Sequence, residues 1–111
     1  MQDIISFEEF KKIDFRVGTI LEVYDFPEAR KPAYKMTIDF GPLGIKKTSA
    51  QITTLYKKED LVQRQIIAIV NFPRKQIGKY MSECLVLGAV DGKKVILLKP
   101  NSEVKNGTPV N

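Results

Sequence analysis

The 111-residue chain has no histidine, no tryptophan and a single cysteine. Without histidine it lacks the commonest general base and the commonest metal ligand. One cysteine and no histidine cannot build a tetrahedral zinc site, and Ser-His or Cys-His nucleophilic pairs are excluded as well. No glycine-rich phosphate loop or dinucleotide fingerprint is present. The acids are scattered and adjacent only at Glu8-Glu9 and Glu59-Asp60. The sequence therefore predicts a protein that is not an enzyme, with no cofactor and no metal. Cys84 has no intramolecular partner, which agrees with a reducing compartment. No apolar run approaches the roughly 20 residues that span a bilayer, so no membrane insertion is expected. The opening MQDIISFEEF has no basic region ahead of an apolar stretch, so it does not read as a secretory signal. A cytoplasmic location is the resulting expectation.

Charge is plentiful but unevenly placed. The net charge is +5. Residues 1–28 carry seven acids and three bases, residues 29–82 eleven bases and three acids, and residues 83–111 four bases and three acids. The middle of the chain therefore holds the basic character, and such a field draws polyanions or acidic partners. The length suits one domain, here taken as residues 1–111.

The stretch at 66–89, IIAIVNFPRKQIGKYMSECLVLGA, organises the rest. Its first five residues read as a buried strand, and Leu85-Val86-Leu87 begins another. Between them, Pro73 and Gly78 forbid a long helix or a continuous strand. This connector holds Arg74, Lys75 and Lys79 and no acid. Loops carried by rigid strands are where binding residues tend to sit.

Ahead of that stretch, Ser6-Phe7-Glu8-Glu9 fits a capping box and predicts a short helix through about Lys12. Alternation predicts strands over 15–24 and 34–40, with Phe15, Val17, Thr19, Leu21 and Val23 sharing one face of the first. Gly18 in that strand predicts a sharp bend or close packing. A weaker strand is expected over 45–52 and a helix around 57–62. Asp91-Gly92 predicts a hairpin between strands 85–90 and 93–99. The tail, 100–111, has room for one short pairing segment. Five main strands with a helix between the third and fourth match an all-β OB-fold. That is a five-stranded Greek-key barrel, here with short helices and N- and C-terminal extensions.

Two kinds of ligand fit these residues. A nucleic acid would meet phosphate contacts from Arg30, Lys31, Arg74, Lys75 and Lys79, with Asn71 and Ser82 hydrogen-bonding a base or the backbone. An unfolded peptide would meet Tyr34, Phe72, Ile77, Tyr80 and Met81 near the basic loop. The three aromatic rings are equally suited to stacking on bases or to the core, and Asn71 and Ser82 to capping turns.

Several segments carry a family resemblance. Asp14-Phe15-Arg16-Val17-Gly18-Thr19-Ile20 resembles the D-x-R-V-G-x-I opening of the tRNA-binding domain family. That family includes the C-terminal appendage of many methionyl-tRNA synthetases and the EMAP-II-like domains. Ala29-Arg30-Lys31 resembles its A-x-K loop, Asn71-Phe72 its N-L or N-F step, and residues 82–87 its S-x-x-M-x-L segment. The run VNFPRKQIGKYMSECLVLG is most similar to an export-related bacterial chaperone of the family. The resemblance implies an OB-fold homodimer that binds unfolded preprotein segments, with tRNA as a further or alternative ligand. It also implies that Lys31, Ser82 and Leu85 lie in the nucleic-acid groove. The chain departs from the family pattern at Leu85, where methionine is frequent, and in the basicity of residues 74–79.

Overall fold

The structure, a computed structural model, describes residues 2–111. Helix α1 spans Phe7–Lys11 and starts on the expected capping box. Ser6 Oγ accepts from the Glu9 backbone N–H at 3.1 Å, and the Ser6 N–H donates to Glu9 Oε1 at 3.0 Å. These bonds satisfy two of the helix's orphan donors. Asn71 then ties the exit of this helix to the barrel. Its side chain accepts from Asp14 N–H at 2.9 Å and donates to the Lys12 carbonyl at 2.6 Å.

Strand β1 runs Phe15–Asp25, β2 Tyr34–Asp39 and β3 Ile45–Ala50. After the short α2 helix, Lys58–Leu61, come β4, Gln65–Ile69, and later β7, Leu85–Val86. These five strands form an antiparallel sheet in the order β3-β2-β1-β4-β7. The segment joining β7 to the preceding hairpin closes the sheet onto β3. The Glu83 N–H donates to the Lys47 carbonyl at 2.7 Å, and Thr48 Oγ1 donates to the Cys84 carbonyl at 2.7 Å. The result is the expected OB-type barrel. In the tail, β10, Pro109–Val110, pairs with the start of β1.

β2 alternates as its sequence predicts, with Tyr34, Met36 and Ile38 buried, and Phe40 continues the pattern just beyond it. β1 does not. Its register slips between Ile20 and Glu22, so a bulge at Leu21 exchanges the two faces. Ile20, which alternation places on the face opposite Val23, is fully buried, and beyond the bulge Val23 packs on the same core. A bulge bends the strand, and β1 must bend to pair with β4 over one half and β2 over the other. Gly18 makes that closure possible. A Cβ there would stand 2.7 Å from Ile38 and Phe40 side-chain atoms.

The segment after β4 differs from a plain loop. It forms its own hairpin, β5, Lys75–Ile77, paired with β6, Tyr80–Ser82. Gly78 turns it with φ 60°, a conformation that favours glycine. The strand expected over 85–90 breaks at Leu87. That residue donates to the Ile67 carbonyl and accepts from Leu98, which leaves β8, Gly88–Asp91, and β9, Lys94–Leu97, as a separate hairpin. No helix among the described residues is long and apolar enough to cross a membrane.

Candidate binding groove

A groove of about 940 Å³ opens between the 26–33 loop, the end of β3 and the β5–β6 hairpin. Its floor is apolar. Ala33, Ile52, Cys84 and Leu97 line it and are themselves buried. Phe72 and Leu85 stand in the wall, 50% and 41% exposed. Side chains left half-open beside a buried floor offer apolar area to a ligand without removing it from the core.

Arg30, Lys31, Arg74 and Lys75 also line the groove. Arg74 lies 3.9 Å from Glu83 Oε2, a long and solvated contact. Among the described residues, Arg30, Lys31 and Lys75 have no carboxylate within ion-pair distance. Three uncompensated cations beside a low-dielectric wall concentrate a positive field in the opening. Ser82 faces the groove as well, with its hydroxyl 3.2 Å from Thr48 Oγ1. Ile77 completes the hairpin's contribution.

Five other candidates lie outside the groove lining. Asn71 spends its amide on the Lys12 and Asp14 backbone, so it ties the α1 connection in place. Tyr34 is a core residue whose hydroxyl donates to the Tyr56 carbonyl at 2.8 Å. Lys79 sits at the hairpin turn beside Gly78, exposed. Met81 is half-buried on β6, paired with Gln76. Tyr80 anchors the hairpin. Its hydroxyl lies 3.0 Å from the Thr48 carbonyl and 3.2 Å from the Met36 carbonyl. Its ring packs edge-on against Phe26, with centroids 5.4 Å apart. Burial pushes the Tyr80 hydroxyl above its ordinary pKa, despite the two carbonyl bonds.

Sequence reasoning missed Ser49, Gln51 and Ile52, which bring the end of β3 into the groove. Their only signal was the strand's polar content. It also missed Cys84 as part of the floor. Burial raises the Cys84 thiol to about 11, so it is protonated and unreactive near neutral pH.

The barrel and groove can now be set beside known proteins. Residues 15–109 match the family described as "Putative tRNA binding domain". The methionine–tRNA ligase of Pyrococcus furiosus is 42% identical over 106 residues, covering 96% of this chain and 14% of that protein. The enzyme of Parabacteroides distasonis is 36% identical over 112 residues, covering 99% of this chain and 16% of that protein. The chain thus spans only a small part of the length of these curated relatives. Among solved structures, the chaperone CsaA of Bacillus anthracis superposes with a TM-score of 0.94 at 48% identity, covering 98% of this chain and 100% of that one. The CsaA chaperone protein of Picrophilus torridus gives 0.91 at 51% identity, covering 97% and 100%. A barrel of this topology, matched along nearly its whole length by those relatives, makes the chain a member of the tRNA-binding domain family.

Proposed function

We propose that the groove binds single-stranded segments of tRNA, chiefly through backbone phosphates and stacking. The observation that carries this reading is the placement of unpaired Arg30, Lys31 and Lys75 around the half-exposed Phe72 ring. Cations that track a backbone beside a flat face are the common recipe for sequence-tolerant strand binding. Ser82 supplies a hydroxyl for a base edge or a ribose.

A second reading is that the same groove holds unfolded polypeptide segments in a chaperone role, including export-bound precursors. The apolar floor favours it, because a strand of RNA alone has little use for buried Ile52 and Leu97. The two CsaA structures, both described as chaperones, support it further. Under either reading residues 1–111 act as one domain in the cytoplasm.

The proposal includes a homodimer. β4 is apolar on both faces, with Ile66 and Ala68 inward and Ile67 and Ile69 outward. Strands of that kind are normally covered on both sides. Phe7, Phe10 and Phe15 extend the outward face as a chain of tilted rings, and Ile4 stands 97% exposed beyond them. A two-fold copy is the commonest cover for such a surface.

The test is binding of labelled tRNA and of an unfolded reporter protein across a salt series. With Arg30, Lys31 and Lys75 changed to alanine, tRNA affinity should fall more than tenfold, and the salt slope should flatten by about two units. Phe72→Ala should weaken both ligands, with the reporter loss insensitive to salt. Unchanged tRNA affinity and slope in the triple variant would remove the groove from the RNA reading.

A further inference from the structure

Away from the groove, the end of the chain is clasped to the barrel by side chains that no ligand contact uses. Lys105-Asn106-Gly107-Thr108 is a β-turn, closed by the Thr108 N–H donating to the Lys105 carbonyl at 3.1 Å. Its third residue, Gly107, has φ 89°, a conformation that favours glycine. Its second, Asn106, accepts at Oδ1 from Thr19 Oγ1 at 2.7 Å and from Gln65 Nε2 at 3.2 Å. Gln65 also bonds both backbone groups of Val104, and Arg16 donates to the Gly107 carbonyl at 2.9 Å. The Gly107 N–H donates to the Val17 carbonyl at 2.7 Å, and the Val17 N–H donates to the Thr108 carbonyl at 3.0 Å. The turn needs glycine and the clasp needs an acceptor, so the fold sets Asn106 directly before Gly107.

That pair is chemically labile. Asn71 and Asn101 precede Phe72 and Ser102, whose side chains hinder the following nitrogen, whereas glycine leaves it open to react. The Gly107 nitrogen gives its proton to a solvent base and attacks Cγ of Asn106. A Cγ–N bond forms, the Cγ–Nδ2 bond breaks, and ammonia leaves a cyclic imide behind. Water then opens either imide carbonyl, which yields aspartate or isoaspartate. The docked turn blocks the first step. The Gly107 N–H is held by Val17 on a buried residue, and the Asn106 amide is fixed by two donors. Isoaspartate routes the main chain through the side-chain carbons and lengthens it by one methylene. There is no space for that in place. A Cβ on Gly107 would stand 2.5 Å from the Phe40 carbonyl oxygen, and Gly41 backs directly onto the Asn106 carbonyl. The register of β10 on Phe15 and Arg16 depends on the same length of chain.

We propose that Asn106 is a self-modification site, closed while its turn is docked and opened by release of the C-terminal segment, and that isoaspartate there keeps the segment from docking again. The only co-reactant is water. The rate is that of the unfolded chain multiplied by the fraction of time the turn is open. Loss of β10 leaves one edge of β1 unpaired at Phe15 and Arg16, and an open edge is a template for another chain.

The test follows Asn106 in the full chain, at fixed pH and temperature, by peptide mapping that separates asparagine, aspartate and isoaspartate. The chain in urea gives the unprotected rate, and the folded parent should react at least about tenfold more slowly, as a docked segment should. Gln65→Ala and Arg16→Ala each loosen the clasp and should speed the reaction at Asn106 roughly tenfold, the effect of losing hydrogen bonds of ordinary strength. The exposed Asn101 should be unaffected in both. If either variant fails a thermal melt, hydrogen exchange of the Gly107 amide in the parent gives the open fraction directly, and that fraction should reproduce the folded rate. The purified isoaspartyl form should exchange the Val17 amide at least about tenfold faster than the parent. Asn106→Asp, which keeps the acceptor and the chain length, should exchange it like the parent. A folded parent that reacts as fast as the chain in urea, or folded variants that react at the parent's rate, would overturn the gating. An isoaspartyl form that exchanges like the parent would show that the segment docks again, and the proposal would fall.

Discussion

Around the groove, apolar side chains make a floor and cations make the rim. Across the barrel, on the outward face of β1 and β4, apolar residues continue to the surface with no such rim. Phe7 is 69% exposed there, and the neighbouring charges are mixed: Asp3, Glu8 and Glu9 stand with Lys12 and with Lys11, whose ammonium lies 5.5 Å from the Phe7 ring centroid, and Asp14 is paired with Arg16. Both regions leave apolar area open to water, yet the chemistry at their edges differs. A cationic rim selects an anionic or unfolded ligand and gives salt-dependent binding. A broad apolar face edged by charges of both signs suits a large cover of its own kind, such as the second copy proposed above.

The largest expected effect comes from a residue beneath both sides. Gly18 faces the interior of β1, where Ile38 and Phe40 leave no room for a side chain. Gly18→Val should cost about 1–3 kcal/mol or more through overpacking. A thermal melt should show a Tm lower by at least about 5 °C. Groove binding and self-association should weaken together. If one survives while the other is lost, the two sides are less coupled than a shared barrel wall requires.

Next comes the apolar side alone. Ile4→Asp with Phe7→Asp places charge on the exposed face without touching the core. Light scattering over a dilution series should show a dimer for the parent chain. For the variant, the dimer should dissociate at a concentration at least tenfold higher. Binding per chain at the groove should be retained. A parent chain that is monomeric at micromolar concentration would end the dimer proposal.

The smallest effect is confined to the groove floor. The Cys84 thiol is raised from 9.0 to about 11 by burial, so the folded state favours its protonated form. That contribution is fully present below about pH 9 and is lost as pH rises through about 11. Denaturation of the parent chain should therefore lose stability over this window by more than Cys84→Ala does. Parallel curves for the two proteins would mean that the thiol is not held in an apolar site.

Much of this was legible in the chain. The box at Ser6 and Glu9, the alternation of β2 and the turn at Asp91-Gly92 are local signals, and local signals survive folding. The bulge at Leu21 was not legible, because alternation looks the same whether or not a strand must bend to serve two partners. Of the residues that the sequence offers as candidates, Arg30, Lys31, Phe72, Arg74, Lys75, Ile77, Ser82 and Leu85 line the groove. Tyr34, Asn71, Lys79, Tyr80 and Met81 carry the same kinds of side chain but lie outside its lining. Residue type shows that a ring or an amide can bind. Only its neighbours show whether the fold has already used it.

The sequence by itself determined the class of the fold, because strand periodicity, turn residues and the order of apolar runs are properties of short segments. It determined as well that the middle of the chain is basic and that histidine chemistry is absent. The tertiary structure alone decided which cations share an opening and which of two similar aromatic residues is exposed. Phe72 and Tyr80 lie within one connector. Phe72, ahead of the hairpin, lines the groove, whereas Tyr80 on the hairpin is pinned onto the carbonyls of Met36 and Thr48. Those partners lie 44 and 32 residues from Tyr80, and a contact at such separation exists only once the barrel has closed.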